Sequence, residues 1–245
     1  MKKFAPLFIF IYCLSATSFF AQVKRVGFGN FFAGPVYNYN SSLQNNLSAE
    51  NLAGKGLGLN TTTYAYGGAG YTLRPRGFIL GGSGYTYRVS SDGVNGNATL
   101  NVSGGIFNIG YLVLNKRKWM GFPYFGVGAF GSNFKITNAA TEKILVEGTD
   151  SITPRKQAKY STGGLVFDIG FGLKHFPLSK TTNKQKEIKG MIGIDAGASF
   201  FPAFGKWKNV VSDNSINSMK SPFTMAAYLR LTIGLGVFYD KEKLK

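Results

Sequence analysis

Cysteine is nearly missing from this chain of 245 residues, which has one, Cys13, inside an apolar N-terminal stretch. Once that stretch is removed, disulfides, thiolate metal sites and thiol nucleophiles are all excluded. No later apolar run is long enough for a membrane-spanning helix, which needs about 20 residues. Proline is scarce at 8 residues, while glycine reaches 33, tyrosine 13 and phenylalanine 22. This composition disfavours a helical membrane protein.

The N-terminus has the layout of a secretory signal peptide. Two lysines precede the apolar run 7–14, polar residues follow, and Ala21 ends the segment. A transmembrane helix is one alternative, but the run is short for it. A lipoprotein would acylate Cys13, but the residue before it is too large for that processing. We therefore expect a signal peptide at 1–21 and, since no linker-like change in composition follows, a single domain at 22–245.

Residues 223–239 form a predicted strand with two chemically different faces. Alternate residues of a strand point to opposite faces, and here one face is wholly apolar while the other is polar or glycine. A membrane-spanning strand needs about 9 to 11 residues, whereas ordinary strands run about five or six. The pattern predicts a strand with lipid on one side and a narrow interior on the other.

Seven further extended segments give a total of eight predicted strands: 25–39, 61–74, 78–89, 99–114, 120–137, 160–176, 190–204 and 223–239. Connections 75–77 and 115–119 are short and 177–189 is longer, whereas the polar connections 40–60, 90–98, 138–159 and 205–222 are mostly long. Short periplasmic turns and long extracellular loops are typical of transmembrane β-barrels. The sequence therefore predicts an all-β fold, a transmembrane antiparallel up-and-down β-barrel of eight strands.

Glycine on the predicted inward faces suits a barrel of this size, whose interior is just wide enough for side chains. Aromatic residues near the predicted strand ends indicate two girdles at the membrane interfaces. The turn-end girdle would contain Trp119, Phe122, Phe176 and Tyr239, and the loop-end girdle Tyr64, Tyr87, Phe134, Tyr160 and Trp207.

The predicted signal peptide, eight alternating strands and short turns resemble the OmpA/OmpX-type family of small outer-membrane barrels. The final strand is similar to the pattern that the barrel-assembly machinery recognises, a polar residue, a glycine and two hydrophobic residues, here Thr232, Gly234, Val237 and Tyr239. The tail 240–245 departs from the usual terminal aromatic residue. The junction of Ala21 with Gln22 and the glycine-rich strands resemble family members from Bacteroidota. The family includes adhesins, membrane-stabilising proteins, secretion-system components and lipid-modifying enzymes, so the resemblance implies a location without fixing a role.

Positive charge is concentrated at the predicted turn end. The chain has 28 Lys and Arg against 11 Asp and Glu, for a net charge of +17. The basic periplasmic rim is predicted to contain Arg74, Arg76, Lys116, Arg117, Lys118, Lys184 and Lys186, and Lys174 is placed at the same end. An exported barrel does not meet nucleic acid, which would otherwise be the usual partner of so basic a chain. Anionic lipid head groups attract cations near a membrane by about 1 kcal/mol each, and an acidic periplasmic or membrane protein is the alternative partner.

Three charged residues, Asp168, Asp195 and Arg230, fall near the middle of the predicted inward faces of consecutive strands. Because an unpaired buried ion costs several kcal/mol, we expect Arg230 to bridge both aspartates and close the lumen. Separate hydration of the three groups in a wider pore is the alternative.

Candidates for catalysis are few. His175, the only histidine, and Ser179 lie at the predicted turn end, whereas lipid A deacylases and palmitoyltransferases of similar barrel shape use these residue types near the outer leaflet. We therefore expect His175 to be an interfacial aromatic residue. The run 126–131 has the spacing of a dinucleotide fingerprint, but it lies inside a strand and not between a strand and a helix. Ser151, between Asp150 and Ile152, resembles a short O-glycosylation pattern of Bacteroidota surface proteins.

The sequence therefore predicts an integral barrel of the cell outer membrane that is not an enzyme and has no catalytic residue, cofactor or metal. Its expected role is structural or in interactions, either in envelope integrity or as a scaffold or component of an outer-membrane assembly such as a secretion system. Expected partners are outer-membrane lipids and lipopolysaccharide, and the barrel-assembly machinery during insertion. The alternatives are a lipid A-modifying enzyme, a narrow solute channel and a secreted lipocalin-like barrel.

Overall fold

The computed structural model describes residues 25–39, 62–93, 96–116, 118–138, 144–146, 150–152, 156–183, 186–202, 207–210, 215–216 and 225–239. The predicted signal peptide 1–21, Arg117 and Lys184 lie outside these ranges. None of the helical structure in the described ranges, a single turn at Pro75–Gly77, is long enough to cross a membrane as a helix.

Eight long strands build a closed antiparallel barrel. They are β1 (Arg25–Tyr39), β2 (Thr62–Leu73), β3 (Phe78–Gly93), β4 (Gly96–Tyr111), β6 (Trp119–Asn138), β9 (Gln157–Asn183), β10 (Lys186–Phe200) and β13 (Met225–Tyr239). Each pairs with the next along the chain. The last strand then pairs with the first, from Arg25 opposite Tyr239 to Tyr39 opposite Met225. The predicted fold class and the number of barrel strands are confirmed.

Short strands supplement the barrel: β5 (Leu114–Lys116), β7 (Ile144–Val146), β8 (Asp150–Ile152), β11 (Trp207–Asn209) and β12 (Ser215–Ile216). The β7–β8 hairpin contains Ser151, paired with Leu145. Strand β11 follows β10 in sequence and pairs with the loop-end part of β9, where Lys208 lies opposite Ser161. The barrel wall therefore continues beyond the end of β10.

Two predicted connections are instead largely strand. Most of 90–98 is paired in a β3–β4 hairpin that continues to Gly93 opposite Gly96. Most of 177–189 is likewise paired, since β9 continues to Asn183 and β10 begins at Lys186, with register shifts near Gly190. Both stretches are polar, so they lack the apolar face by which a membrane-spanning strand is recognised in sequence.

The outward face of the barrel is apolar. On β13, Leu231 and Ile233 are 67% and 65% exposed, and Phe31 on β1 is 77% exposed. Inward side chains form two buried clusters, one toward the loop end around Phe130, Phe134 and Trp207, and one toward the turn end around Phe28, Tyr71 and Phe122. The two predicted faces of the last strand are therefore confirmed.

The predicted aromatic girdles were wrong in most of their members. Six of the aromatic residues assigned to them are buried, and they fill the lumen instead: Phe122, Phe176, Tyr87, Phe134, Tyr160 and Trp207. Trp119, Tyr239 and Tyr64 do face outward. The loop-end border on β1 and β2 is formed by four outward tyrosines that are each at least half exposed, Tyr37, Tyr39, Tyr64 and Tyr66. The difference follows from alternation, because a shift of one residue moves a side chain from one face of the wall to the other.

Candidate functional site

A layer of charged and hydroxyl groups crosses the lumen between the two apolar clusters. Asp168 and Lys174 come from β9, Asp195 from β10, and Arg230 and Thr232 from β13, and all five are buried. A charge removed from water has to be compensated by partners. The contacts within this layer, which we call the lumen polar layer, show how each charge is compensated.

Lys174 forms a buried ion pair with Asp195. The Lys174 Nζ lies 2.6 Å from the Asp195 Oδ1 and also donates to the Thr232 Oγ1 at 3.0 Å. The Lys174 side chain is fully buried and that of Asp195 is 6% exposed. The pair therefore links β9, β10 and β13 with little help from solvent.

Asp168 is held by hydroxyl groups. Ser199 donates to its Oδ1 at 2.6 Å, and the Tyr228 hydroxyl donates to its Oδ2 at 2.9 Å. Because Tyr228 gives its only hydroxyl proton to Asp168, Tyr124 is the donor in the 2.8 Å contact between the two tyrosine hydroxyls. Both carboxylate oxygens are thus satisfied, and a chain of hydrogen bonds crosses from β6 to β10.

Arg230 lies among aromatic ring faces. Its Cζ is 3.7 Å from the ring centre of Tyr228, 4.6 Å from that of Phe32 and 5.8 Å from that of Tyr85. Its buried Nε has no hydrogen-bond partner among the described residues. Ring faces attract a guanidinium electrostatically, so the three rings stabilise the cation. Tyr228 contacts both Arg230 and Asp168.

The predicted bridge from Arg230 to both aspartates was wrong. The structure does bring the three residues into the lumen, but Asp195 pairs with Lys174 and Asp168 is occupied by hydroxyls. The sequence predicts Lys174 at the turn end, since the predicted strand ends at residue 176, whereas β9 continues to Asn183 and Lys174 lies in the lumen. With Lys174 included, the lumen polar layer has two cations and two carboxylates.

Glycines make room for the tyrosines of this layer. A Cβ on Gly170 would lie 2.6 Å from the Tyr124 ring and hydroxyl, and a Cβ on Gly197 would lie 2.5 Å from the Tyr228 hydroxyl. On Gly172 it would lie 2.9 Å from the Asp195 Oδ1. The narrow interior predicted from inward glycines is therefore present around the ionic residues.

Sequence reasoning missed the partners that complete the layer, which are Lys174, Ser199, Tyr228 and Tyr124. A signal for one of them was present, because Lys174 is separated from Asp168 by an even number of residues and so faces the same way along a strand. The pairing of Lys174 with Asp195 depends on how β9 and β10 are aligned. That register, with its shift near Gly190, is seen only in the structure.

Most described members of the basic periplasmic rim lie exposed at the turn end. Arg74, Arg76, Lys116 and Lys118 are exposed, and Lys186 is half-buried at the start of β10. Lys118 Nζ donates to the Pro177 carbonyl at 3.2 Å. These cations therefore face the surroundings of the barrel and not its lumen.

His175 lies on the outer wall near the same end. Its ring centre is 4.4 Å from that of Trp119, and both rings line an apolar groove of about 400 Å³ with Leu173, Ile192 and Leu231. In the described part of the chain, no three His, Cys, Asp or Glu side chains come together as metal ligands would.

The assembly-signal residues lie within the wall of the barrel. Thr232 and Gly234 face the lumen, while Val237 and Tyr239 lie on the outward face of β13. This strand is paired on both sides, with β1 and with β10. Recognition of its edge by an assembly machine would therefore have to precede closure of the barrel.

A closed barrel with an apolar outward face satisfies the demands of a bilayer, because no strand edge is left unpaired in lipid. Outward tyrosines at the loop-end border are typical of membrane interfaces, and barrels of this kind belong to outer membranes. The chain is accordingly an integral β-barrel of the outer membrane.

No protein-family model matches the sequence, and no curated protein matches it significantly. Among solved structures, the chain is similar to Ail, the attachment invasion locus protein of Yersinia pestis, with 9% identity over 89% of this chain and 100% of that chain and a TM-score of 0.42. It is also similar to the outer membrane protein OprG from Pseudomonas aeruginosa, with 11% identity over 89% and 96% of the two chains and a TM-score of 0.32.

A third similar structure is the outer membrane protease OmpT from Escherichia coli, with 9% identity over 91% of this chain and 99% of that chain and a TM-score of 0.35. Likeness of this degree says nothing about what the present chain does. Its role has to be argued from its own residues.

Proposed function

We propose that this protein is a closed-lumen barrel that has a structural or interaction role in the outer membrane and acts through its outer surfaces. The packing of the lumen carries the proposal. Two apolar clusters lie on either side of the lumen polar layer, and the charges in that layer are compensated by an ion pair, by hydroxyl donors and, at Arg230, by aromatic ring faces. A barrel filled in this way stabilises its own wall and offers no wide path for solutes.

Conductance across a planar bilayer tests the closed lumen. The wild-type protein is expected to give no stable conductance steps. The matched variant Tyr124→Ala/Tyr228→Ala removes the two rings that meet across the polar layer, and it should conduct if it folds. Stable steps from the wild type would refute the proposal and favour a narrow solute channel.

We further propose that the protein is not an enzyme. The carboxylates Asp168 and Asp195 are buried and engaged, and His175 is packed on Trp119 at the turn end. A lipid A-modifying enzyme needs catalytic polar groups near the outer leaflet. The mass of lipid A from cells that express the protein should be unchanged, and a new lipid A species that depends on the protein would contradict this.

The exposed cations at the turn end support a second part of the proposal, which is that this rim faces the periplasm and contacts anionic lipid head groups. An acidic periplasmic or membrane protein is the alternative occupant, for example within a secretion assembly. Extraction from native membranes in mild detergent, followed by identification of co-purifying proteins, separates the two. An acidic protein that co-purifies in stoichiometric amounts with the wild type, and not with the variant Arg74→Gln/Lys116→Gln, would favour a protein partner over lipid head groups. Assembly by the barrel-assembly machinery, glycosylation at Ser151 and an origin in Bacteroidota stay predictions from the sequence.

A further inference from the structure

Four cations form a patch on the outward face of the barrel at its loop end. Arg88, Lys159 and Lys208 are exposed and Lys135 is half-buried. They come from four different strands, β3, β9, β11 and β6, and occupy two neighbouring cross-strand rows. The first row contains Arg88, Asn101, Asn133, Ser161 and Lys208, and the second contains Ser90, Thr99, Lys135 and Lys159. We call this set of four cations the cationic patch.

Two lysines of the cationic patch lie directly opposite each other. Lys135 on β6 is the register partner of Lys159 on β9, and like charges in this position destabilise a strand pair. Neither row contains a carboxylate, and none of the four cations forms an ion pair with a described residue. The nearest acidic position in the register, Asp92, is on β3 in the next row, opposite Asn97. The wall therefore keeps a like-charge pair that an external anion would neutralise.

Arg88 is directed toward the second row. Its Nη2 lies 3.4 Å from the Oγ1 of Thr99, which is the register partner of Lys135. This contact brings the guanidinium from the first row toward the lysine pair. One guanidinium and three ammonium groups on neighbouring cross-strand rows are donors that suit the oxygens of phosphate groups.

The position of the cationic patch favours a lipid head group over a soluble anion. Thr86 is paired with Tyr66, one of the loop-end tyrosines, and Arg88 is the next outward residue on β3. Toward the turn end, the rows below the cationic patch become small and then apolar, with Gly131 opposite Gly163 and Ala129 opposite Leu165. The cations thus begin where the lipid-facing surface ends, at the level of head groups.

We propose that the cationic patch binds the phosphate groups of a phosphorylated glycolipid of the outer leaflet, of the lipid A class, with its acyl chains on the apolar wall of β6 and β9. The inference rests on the proposed orientation, in which the loop end faces the outside.

Native mass spectrometry of the detergent-solubilised full-length protein, titrated with diphosphorylated lipid A, tests the proposal without depending on orientation. The patch variant is Arg88→Gln/Lys135→Gln/Lys159→Gln/Lys208→Gln. The control variant is Arg74→Gln/Lys116→Gln/Lys118→Gln/Lys186→Gln, which removes the same number of each cation at the turn end. Each cation near an anionic lipid surface contributes roughly fivefold in affinity. We therefore expect the patch variant to bind diphosphorylated lipid A at least tenfold more weakly. The control variant lacks rim cations that are proposed to contact anionic head groups of any kind, so it should lose much less affinity for diphosphorylated lipid A than the patch variant does.

Three further ligands test which chemical group the cationic patch recognises. Dephosphorylated lipid A should bind the wild type and the patch variant equally, and phosphatidylglycerol and a heparin fragment should bind more weakly than diphosphorylated lipid A. Equal loss in the patch and control variants would overturn the proposal. So would unchanged binding in the patch variant, or binding of heparin or phosphatidylglycerol as tight as that of lipid A.

A stability measurement guards against misfolded variants, because a single substitution is expected to stabilise the lipid-free protein and to weaken its stabilisation by lipid. Without lipid, Lys159→Glu places opposite charges across from each other at Lys135 and should raise resistance to unfolding. The same substitution should weaken stabilisation by diphosphorylated lipid A. A merely structural role for the lysine pair would lower the stability of the lipid-free protein, and that outcome would contradict the proposal.

Discussion

Substitution of Lys174 by methionine tests the account of the lumen most directly. Methionine keeps most of the side-chain volume and removes the charge that compensates Asp195. The Lys174 side chain is fully buried and its Nζ contacts both the Asp195 Oδ1 and the Thr232 Oγ1. Removing one partner of a buried ion pair leaves a bare charge and typically costs about 3 to 5 kcal/mol. We expect Lys174→Met to lower the free energy of unfolding by that amount.

A matched control uses the same substitution at a partly exposed pair. Lys189 Nζ lies 3.2 Å from the Glu187 Oε2, with side chains 21% and 34% exposed. Pairs that solvent reaches contribute roughly 0 to 1 kcal/mol. Lys189→Met should therefore cost far less than Lys174→Met.

Equilibrium unfolding by guanidinium in detergent micelles, followed by tryptophan fluorescence, measures both variants, since Trp207 is buried in the loop-end cluster. The double variant Lys174→Met/Asp195→Asn should recover much of the loss, because no charge is then left without a partner. If Lys174→Met costs as little as Lys189→Met, or if the double variant is no more stable than Lys174→Met alone, the reasoning about the buried pair is refuted.

The remaining predictions concern the tyrosine layer, the arginine and the topology. Gly170→Ala should lose about 1 to 3 kcal/mol through overpacking, because its Cβ would lie 2.6 Å from the Tyr124 ring, whereas Gly70→Ala has no atom within 4 Å and should be nearly neutral in the same unfolding assay. Arg230→Met should cost less than Lys174→Met, since both oxygens of Asp168 keep their hydroxyl donors; an equal or larger loss would show that the arginine compensates a carboxylate directly. A cysteine at Lys159 should react with an impermeant maleimide on intact cells and one at Lys116 should not, and the reverse result would invert the proposed orientation.

Alternation along the strands explains what could be predicted. For β13 the outward residues are large and apolar and the inward ones are polar or small, so both faces were assigned from sequence. Strands β2 to β4 alternate less clearly because several of their outward positions are glycine, among them Gly68, Gly84 and Gly105. Glycine has no side chain whose polarity could show whether a position faces lipid or the lumen. Which residues of these strands face outward is therefore visible only in the structure.

Contacts inside the lumen could be predicted in kind but not in detail. The predicted inward faces contain Asp168, Asp195 and Arg230, so their position in the lumen could be predicted. Which side chain each of them contacts depends on the stagger between strands and on how far each strand continues. Polar stretches such as the end of β9 continue to pair beyond the apolar band. For this reason Lys174, which the sequence predicts at the rim, lies in the lumen. The same uncertainty of face and register assigned Phe134 and Trp207 to a girdle, although both rings pack together inside, with centres 6.1 Å apart.

Strand length places the cationic patch on paired strands of the wall and not on a connecting loop. Strand β6 has 20 residues, which at about 3.3 Å each and a tilt near 45° rise roughly 45 Å, well beyond an apolar band of about 25 Å. The excess on β6 includes Asn133, Lys135 and Thr137 on the outside, while Phe134 and Ile136 between them are buried on the inside. Because Phe134 packs on Trp207, the residue before Lys208, the interior of this extension fixes the spacing of cations on its exterior. A surface of paired strands holds its side chains in place more firmly than one built on loops. An outer-leaflet ligand should therefore be sought on the wall just beyond the apolar band, at the level of the head groups, and not only on the connecting loops.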